Sequence, residues 1–192
     1  MSQFERGYCC STIWRSSSAA IARELRAQRL GRDVLEIGVG SGSVAQQLLA
    51  NAPGLVWTAI DIDPRMTHAA ATRLRGFAGA SVKTADATAM PFADDSFDSV
   101  VSCLMLHHII DWERAVAEVA RVLRPGGTFV GYDLVRTPLA SLFHRLDRSP
   151  HRLLVPVDFQ AECARHGLTA SLQSRLLGQV MRFVAYKNTE EI

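Results

Sequence analysis

Short apolar runs alternate with amphipathic stretches along the first two thirds of the chain. The apolar runs have the length of buried strands, and they lie at 33–38, 55–60, 81–85, 97–103 and 128–133. Between them, apolar residues recur at helical spacing over 43–51, 64–75 and 111–123. This alternation predicts a parallel sheet that is covered by helices on both faces.

The two ends of the chain follow other patterns. Near the start, residues 18–30 predict a helix whose N-cap lies within the serines at 16–18. The last third predicts two more helices and a closing hairpin of two strands, at 139–147, 158–166, 169–176 and 180–187.

The composition is that of an ordinary folded protein, with 48% hydrophobic and 21% charged residues. No apolar run approaches the roughly 18–20 residues of a membrane helix, and the start has no apolar signal-peptide core. We therefore expect a cytoplasmic protein whose four cysteines are reduced. The net charge of +2 is too small to indicate a nucleic-acid-binding surface.

The segment 34–42, Val-Leu-Glu-Ile-Gly-Val-Gly-Ser-Gly, is a strand that ends in alternating glycines and opens a helix. Glycine allows a tight turn and a close approach of the backbone, and the free N–H groups of a helix start favour polar or anionic groups. The segment therefore predicts a ligand site.

The spacing of the glycines bears on which ligand binds. Dinucleotide-binding turns follow the pattern G-x-G-x-x-G. Here the third glycine, Gly42, comes one place earlier than in that pattern. The carboxylate of Glu36, two residues before the first glycine, would repel a pyrophosphate. It suits a cationic guest, such as the ammonium group of an amino acid or a sulfonium.

Further motifs follow in order: Ala-Ile-Asp-Ile-Asp, Ala-Asp-Ala, Met-Pro-Phe, Ser-Phe-Asp-Ser-Val, Leu-His-His and Val-Leu-Arg-Pro-Gly-Gly, at 59–63, 85–87, 90–92, 96–100, 106–108 and 122–127. With the glycine segment, this series resembles class I S-adenosylmethionine-dependent methyltransferases of the small-molecule, ubiquinone/menaquinone methyltransferase-like type. The resemblance spans about 32–133. It implies a Rossmann-like α/β fold with a seven-stranded, mostly parallel sheet, an antiparallel last strand and helices on both faces.

The resemblance also implies a cofactor site for S-adenosylmethionine, with S-adenosylhomocysteine as the product and no metal. Glu36 would lie near the methionine moiety, and Asp61 would accept hydrogen bonds from the ribose hydroxyls. Gly38, Gly40 and Gly42 would form the glycine turn. Ile62 and Met66 would be the walls of the adenine pocket, and Asp86 and the N–H of Ala87 would be the polar partners of the adenine. The backbone of Cys103 and Leu104 would lie near the methionine ammonium.

The acceptor is less well determined. Residues 102–107 are largely apolar and lack the motif of amino-methylating nucleic-acid enzymes, and Asp133 has no carboxylate partner for a metal-dependent catechol enzyme. These features favour a small-molecule or lipid-like O-, C- or N-acceptor over nucleic acid. His107 and His108 are the candidate general bases, because imidazole titrates near neutrality. Either could instead only shape the pocket wall, and Tyr8, Tyr132 and His144 are weaker candidates.

We expect a single methyltransferase domain over 1–192, divided into an N-terminal cap (1–30), a cofactor-binding core (32–133), a lid (134–156) and a C-terminal helix and hairpin (157–192). Residues 139–152 mix leucines with basic residues, which suits either an ordinary amphipathic helix or a lid with weak membrane-surface contact. The sequence does not determine the oligomeric state. Two other functions stay open: a non-catalytic cofactor-binding or interaction protein, and a nicotinamide-dependent oxidoreductase.

Overall fold

The computed structural model describes residues 12–26, 28, 30–52, 54–147 and 150–189, and within these ranges the side chains of all but 12–17, 26 and 143–147. The helices are α1 (Thr12–Arg26), α2 (Ser43–Leu49), α3 (Pro64–Leu74), α4 (Trp112–Val122), α5 (Pro138–Asp147) and α6 (Pro156–Arg165). The strands are β1 (Asp33–Ile37), β2 (Val56–Asp61), β3 (Ala80–Thr84), β4 (Phe97–Cys103), β5 (Leu123–Leu134), β6 (Leu168–Arg175) and β7 (Val180–Lys187). Two 3-10 turns, Leu106–His108 and Leu176–Gly178, complete the described elements.

The strands form one seven-stranded sheet in the order β3-β2-β1-β4-β5-β7-β6. The pairs among β1 to β5 are parallel, and β7 is antiparallel to both β5 and β6. This arrangement confirms the predicted α/β fold with an antiparallel last strand. The carboxyl ends of the parallel strands consequently meet at one edge of the sheet, which we call the carboxyl edge.

The alternation of side chains along β1 separates two apolar layers. Leu35 and Ile37 pack into a cluster with α4 and α6, whereas Val34 faces a second cluster built from α1, α2 and α3. Successive strand residues point to opposite faces, so a strand that is buried on both sides is apolar throughout. The exception within β1 is the buried carboxylate of Glu36.

Two elements, α1 and β5, differ most from the sequence-based expectations. Helix α1 begins at Thr12 and ends at Arg26, so the predicted serine cap lies inside the helix. The helix continues through the serines because its buried stripe, Ser18, Ala22 and Leu25, already includes one of them. Strand β5 begins at Leu123 rather than 128, because Leu123 already pairs with Phe97 of β4. The register then shifts across the Arg-Pro-Gly-Gly segment, and pairing resumes between Ser99 and Thr128.

Among the helices in the part of the chain that the structure describes, none is both long and apolar enough to cross a membrane.

Candidate active site

The glycine turn lies at the carboxyl edge, between β1 and α2. Gly38, Gly40 and Gly42 have φ angles of 71°, 52° and 77°, in the left-handed region that favours glycine. A Cβ on Gly42 would lie 3.1 Å from the Cα of Ala70, so this glycine lets α3 approach the turn. A Cβ on Gly38 would lie 1.9 Å from Cγ of Met105, which follows β4. At two of the three glycines, neighbouring parts of the protein therefore leave no room for a side chain.

Glu36 carries a buried carboxyl group on β1, just before this turn. Its Oε2 accepts a hydrogen bond of 3.1 Å from Nε1 of Trp57 on β2. Burial raises the pKa of Glu36 to about 8, with the hydrogen bond from Trp57 acting against the shift and the negative charge of Asp61 adding to it. A positive charge placed beside this carboxyl group would favour its ionised form.

Asp61, the last residue of β2, ties the glycine turn to the neighbouring strand. Its Oδ2 accepts the N–H of Gly40 at 2.9 Å, and its Oδ1 accepts the N–H of Asp63 at 3.0 Å. Burial raises the pKa of Asp61, although these two N–H donors favour the carboxylate. The nearby Asp63 instead caps α3 by accepting the N–H of Arg65. The two aspartates therefore have separate structural roles.

The next candidates follow β2 and β3. Ile62 is 69% exposed beside Asp61, whereas Met66 is buried on the first turn of α3. Asp86 is exposed, and its Oδ1 accepts both the N–H and the hydroxyl of Thr88 at 2.8 Å. Ala87 is buried next to it. The side chain of Ile62 therefore offers an exposed apolar surface directly after the Asp61 carboxylate in the chain.

The end of β4 contributes backbone rather than reactive side chains. Cys103 is buried, and its burial, together with the negative charges of Glu36 and Asp133, raises its thiol pKa well above the usual value. Leu104 has a φ of 53° and donates its N–H to the carbonyl of Tyr132 at 2.7 Å. The Cys103 thiol therefore stays protonated, as a small apolar side chain.

Asp133 at the end of β5 has a partner that the sequence analysis did not identify. Its Oδ1 lies 2.6 Å from Nδ1 of His107, and the side chains of both residues are buried. The same carboxylate accepts the N–H groups of Met105 at 3.2 Å, Leu106 at 2.8 Å and Leu134 at 2.7 Å. A metal-dependent catechol site would pair Asp133 with a second carboxylate, whereas its partner here is an imidazole 26 residues away. Asp133 therefore fixes both the turn after β4 and the ring of His107.

His108 and Tyr132 are placed differently from His107. The ring centroids of His107 and His108 lie 4.0 Å apart. The hydroxyl of Tyr132 donates to the carboxylate of Glu24 on α1, and burial together with this bond raises the Tyr132 pKa. Tyr132 is therefore engaged with α1. Tyr8 and the side chain of His144 lie outside the described residues.

A segment from the predicted lid crosses the turn that carries His107. The N–H of Arg152 donates to the His107 carbonyl at 2.7 Å, and Val135 and Leu154 form a parallel bridge. The Arg152 guanidinium pairs with Glu113 and lies over the ring of Trp112. Trp112, Arg136, Ser141 and Arg152 are among the residues that line a cavity of about 240 Å³ beside this segment. Part of the predicted lid is thus fixed to the loop that it covers.

Across the described ranges, no group of three or more His, Cys, Asp or Glu side chains is arranged to hold a metal ion.

Comparisons with known proteins agree with this architecture. A family described as "Methyltransferase domain" matches residues 35–131. The demethylmenaquinone methyltransferase of Thermus thermophilus is 35% identical over 119 residues, which cover 61% of this chain and 52% of the relative. The ubiquinone/menaquinone biosynthesis C-methyltransferase of Paracoccus denitrificans is 35% identical over 127 residues, which cover 64% of this chain and 50% of the relative. The chain spans about half the length of these curated relatives.

Solved structures have the same fold at low sequence identity. The YcgJ protein of Bacillus subtilis superposes with a TM-score of 0.75 at 20% identity, covering 90% of this chain and 99% of that one. The CurJ carbon methyltransferase superposes with a TM-score of 0.70 at 20% identity, covering 83% and 49%. At these identities, the superpositions establish the fold alone.

Proposed function

Since this chain belongs to the class I S-adenosylmethionine-dependent methyltransferase family, we propose that it transfers a methyl group from S-adenosylmethionine to a small-molecule or lipid-like acceptor. The observation that carries the proposal is the hydrogen bond between Gly40 and Asp61, which joins the glycine turn to a strand-end carboxylate. Glu36 lies near the carboxyl end of β1 and Asp86 follows β3, so both are on strands that neighbour β2 at the same edge. Open α/β sheets bind their ligands at this edge.

Glu36 fits the charge of the cofactor. When bound, S-adenosylmethionine supplies a methyl group that is activated by a positively charged sulfonium, and it also carries an ammonium group. Among the described residues, the Glu36 carboxyl group accepts a hydrogen bond from Trp57, and the charged group that acts on it is the carboxylate of Asp61, so burial raises its pKa to about 8. We assign Glu36, together with the backbone of Gly38, Cys103 and Leu104, to the methionine portion of the cofactor.

Asp61 and Asp86 fit the adenosine portion. The Asp61 carboxylate accepts two backbone N–H bonds and has further acceptor capacity for ribose hydroxyls. Asp86 accepts its hydrogen bonds from Thr88 on Oδ1, and we assign it and the N–H of Ala87 to the adenine. Ile62 and Met66 would form the apolar walls of the adenine pocket. Gly40 and Gly42 complete the site by shaping the turn.

Thermal-shift measurements with S-adenosylmethionine, S-adenosylhomocysteine and NAD test the cofactor. We expect stabilisation by the first two and none by NAD, because a ligand that binds only the folded state raises its melting temperature. Stabilisation by NAD alone would favour a nicotinamide-dependent oxidoreductase. Stabilisation by S-adenosylmethionine without any methyl transfer would favour a non-catalytic binding protein.

The pair of Asp133 and His107 supplies the proton chemistry that some acceptors need. When the Nδ1–H of His107 donates to Oδ1 of Asp133, the other ring nitrogen, Nε2, is the acceptor of the neutral imidazole. A base of this kind is required only where the acceptor group carries a proton that must leave. For every acceptor, the protein also has to hold the nucleophile in line with the methyl group and exclude water.

Substitution of the two histidines tests this role. We expect His107→Ala or His108→Ala to lower turnover while leaving the affinity for S-adenosylhomocysteine little changed. His107→Gln is the conservative companion, because its amide can still donate a hydrogen bond to Asp133 but cannot act as a base near neutral pH. Unchanged turnover in both alanine variants would contradict the role.

The relatives named for demethylmenaquinone and ubiquinone/menaquinone biosynthesis suggest the first acceptors to assay. We propose a quinone-like ring that is methylated at carbon, in a cytoplasmic protein with the domain division given above. Transfer of a labelled methyl group into cell extract, followed by mass identification of the product, tests the acceptor without assuming its structure. A labelled nucleic acid as the main product would contradict this assignment.

A further inference from the structure

The turn between β6 and β7 carries two leucines in an unfavourable backbone conformation. Leu176 and Leu177 have φ angles of 47° and 54°, in the left-handed region that side chains disfavour. Hairpin turns with such angles normally use Asn, Asp or Gly. Here the two positions hold leucines whose side chains are 73% and 103% exposed. Neither the local backbone preference nor packing within the chain accounts for leucine at these positions.

Helix α5 lies next to this turn and adds exposed leucines of its own. The hydroxyl of Thr137 donates to the side chain of Gln179 at 2.5 Å, and the N–H of Val135 donates to the Gln179 carbonyl at 3.0 Å. Leu139 and Leu142 on α5 are 64% and 51% exposed. We call Leu139, Leu142, Leu176 and Leu177 together the leucine surface.

Helix α5 and the β6–β7 hairpin, which carry the leucine surface, contain several cations and one acid, Asp147 at the end of α5. Residues 134–146 and 168–187 include no Asp or Glu, although the whole chain has 19 acidic residues. The Arg175 guanidinium donates to neutral oxygens of Gln173 and Ser174, and no carboxylate among the described residues forms an ion pair with it. In the described part of the chain, the exposed side chain of Arg136 has no ion pair. Two cations, Arg136 and Arg175, thus lie on the segments next to the exposed leucines.

We propose that the leucine surface docks on an anionic lipid bilayer. The leucines would enter the acyl boundary while Arg136 and Arg175 contact anionic headgroups, which is how amphipathic surfaces bind membranes. Charge complementarity favours an anionic occupant, and the projecting leucines favour a bilayer over nucleic acid, whose phosphates would make no use of them. The inference goes beyond methyl transfer and does not depend on it.

The leucine surface lies at the same edge of the sheet as the candidate cofactor site. Strand β7 begins opposite the end of β5, because Leu134 pairs with Val180, and Arg175 of β6 pairs with the same residue. The β6–β7 turn therefore projects from the carboxyl edge, where the candidate cofactor site lies. A protein docked by this turn would present that edge to molecules in the bilayer.

Vesicle flotation of the full chain tests the proposal, with vesicles of phosphatidylcholine mixed with phosphatidylglycerol and vesicles of phosphatidylcholine alone. We expect binding to the anionic vesicles that weakens in high salt, and much weaker binding to the neutral ones. The variant L176N/L177N should reduce binding at least about tenfold, because two apolar side chains no longer enter the acyl region. Its melting temperature should not fall, because asparagine tolerates the left-handed conformation.

Arginine variants and matched controls separate the charge contribution from general effects. R136Q and R175Q should each reduce binding to anionic vesicles about fivefold, the effect of one basic residue near an anionic surface. Arg75 is an exposed cation at the C-terminal end of α3, and Tyr186 is an exposed aromatic residue near the end of β7 that lies away from the β6–β7 turn. R75Q and Y186T should therefore bind like the wild type.

Three outcomes would overturn the proposal. The first is no binding of the wild type to anionic vesicles, and the second is equal binding by the wild type and L176N/L177N. The third is a lipid-free dimer in analytical ultracentrifugation that L176N/L177N dissociates, which would make the leucine surface an interface between two copies. None of these outcomes depends on the methyltransferase assay, so they leave the proposed function to its own test.

Discussion

Two carboxylates at the carboxyl edge are used in different ways. Asp61 accepts two backbone N–H groups, from Gly40 and Asp63, and stays at the mouth of the glycine turn. Asp133 is fully buried and accepts three backbone N–H groups as well as His107. The β1–β2 side of the edge therefore keeps polar capacity for a ligand. The β4–β5 side uses its polar capacity to hold one part of the chain against another.

The largest effect that follows from this contrast is on stability. We expect Asp133→Ala to lower the free energy of unfolding by about 3–5 kcal/mol, because it leaves buried N–H donors without an acceptor and His107 without its partner. Asp61→Ala should cost less, about 1–2 kcal/mol, because water can reach the donors it exposes. Urea unfolding of both variants measures the difference. Equal losses would mean that both carboxylates serve mainly to hold the chain.

The second effect concerns cofactor affinity. Asp61→Ala should weaken S-adenosylhomocysteine binding by about tenfold to a hundredfold, which corresponds to the 1.5–3 kcal/mol of hydrogen bonds to a charged group. Asp63 is the matched control, because it lies two residues away and caps α3. Asp63→Ala should cost about 1 kcal/mol of stability and leave the affinity unchanged. Isothermal titration calorimetry distinguishes the two, and a similar loss of affinity in both variants would contradict the assignment of Asp61.

The same contrast separates what the sequence could predict from what it could not. The β1–β2 side is built from short motifs, in which the strand, the turn and the next strand end are fixed by local spacing. The bounds of β1 and β2 therefore follow from periodicity to within one residue. The seven-stranded sheet with its antiparallel last strand was instead expected from the family resemblance, and the order of the strands is seen only in the structure.

The β4–β5 side depends on contacts between residues that are far apart in the sequence. His107 and Asp133 meet because β4 and β5 are neighbours, and no local pattern marks an imidazole as the partner of a strand-end carboxylate. The bond from Arg152 to His107 joins residues from different predicted segments. The exposed leucines at 176–177 were also missed, because the sequence alone predicts a turn there without its φ angles or its exposure.

The third effect is a pH dependence of stability and of ligand binding on the β1–β2 side, and it depends on Glu36. A pKa raised to about 8 means that the carboxyl group is protonated in the folded protein at neutral pH. In the protein without ligand, stability should therefore fall as the pH rises from about 4.5 to about 8, since only the unfolded chain has released the proton in that range. A cationic ligand favours the ionised form, so its binding should release a proton below pH 8.

Calorimetry with S-adenosylmethionine measures this linkage. Between pH 6 and pH 7.5, we expect the affinity to rise by up to about tenfold per pH unit, with a proton release that appears as a dependence of the heat on the buffer. Glu36→Gln should flatten the pH profile and weaken binding. The ligand's own titration is the same in both proteins, so it does not affect the comparison. A wild-type profile parallel to that of Glu36→Gln would exclude Glu36 as the cation partner.

The smallest effect concerns the ion pair between Arg152 and Glu113, on the β4–β5 side. The two side chains are 48% and 33% exposed, so solvent screens their attraction. The backbone bonds from Arg152 to the His107 carbonyl and from Arg136 to the Leu154 carbonyl hold the same segment and survive any side-chain substitution. We expect a coupling free energy of at most about 1 kcal/mol from the double-mutant cycle of Arg152→Gln and Glu113→Gln.

The partly exposed pair of Lys187 and Asp95 provides a control cycle elsewhere in the fold. If the Arg152 cycle instead approached the effect of Asp133→Ala, the side chain of Arg152 would hold this segment, and the β4–β5 side would depend on surface charge as well as on its buried carboxylate.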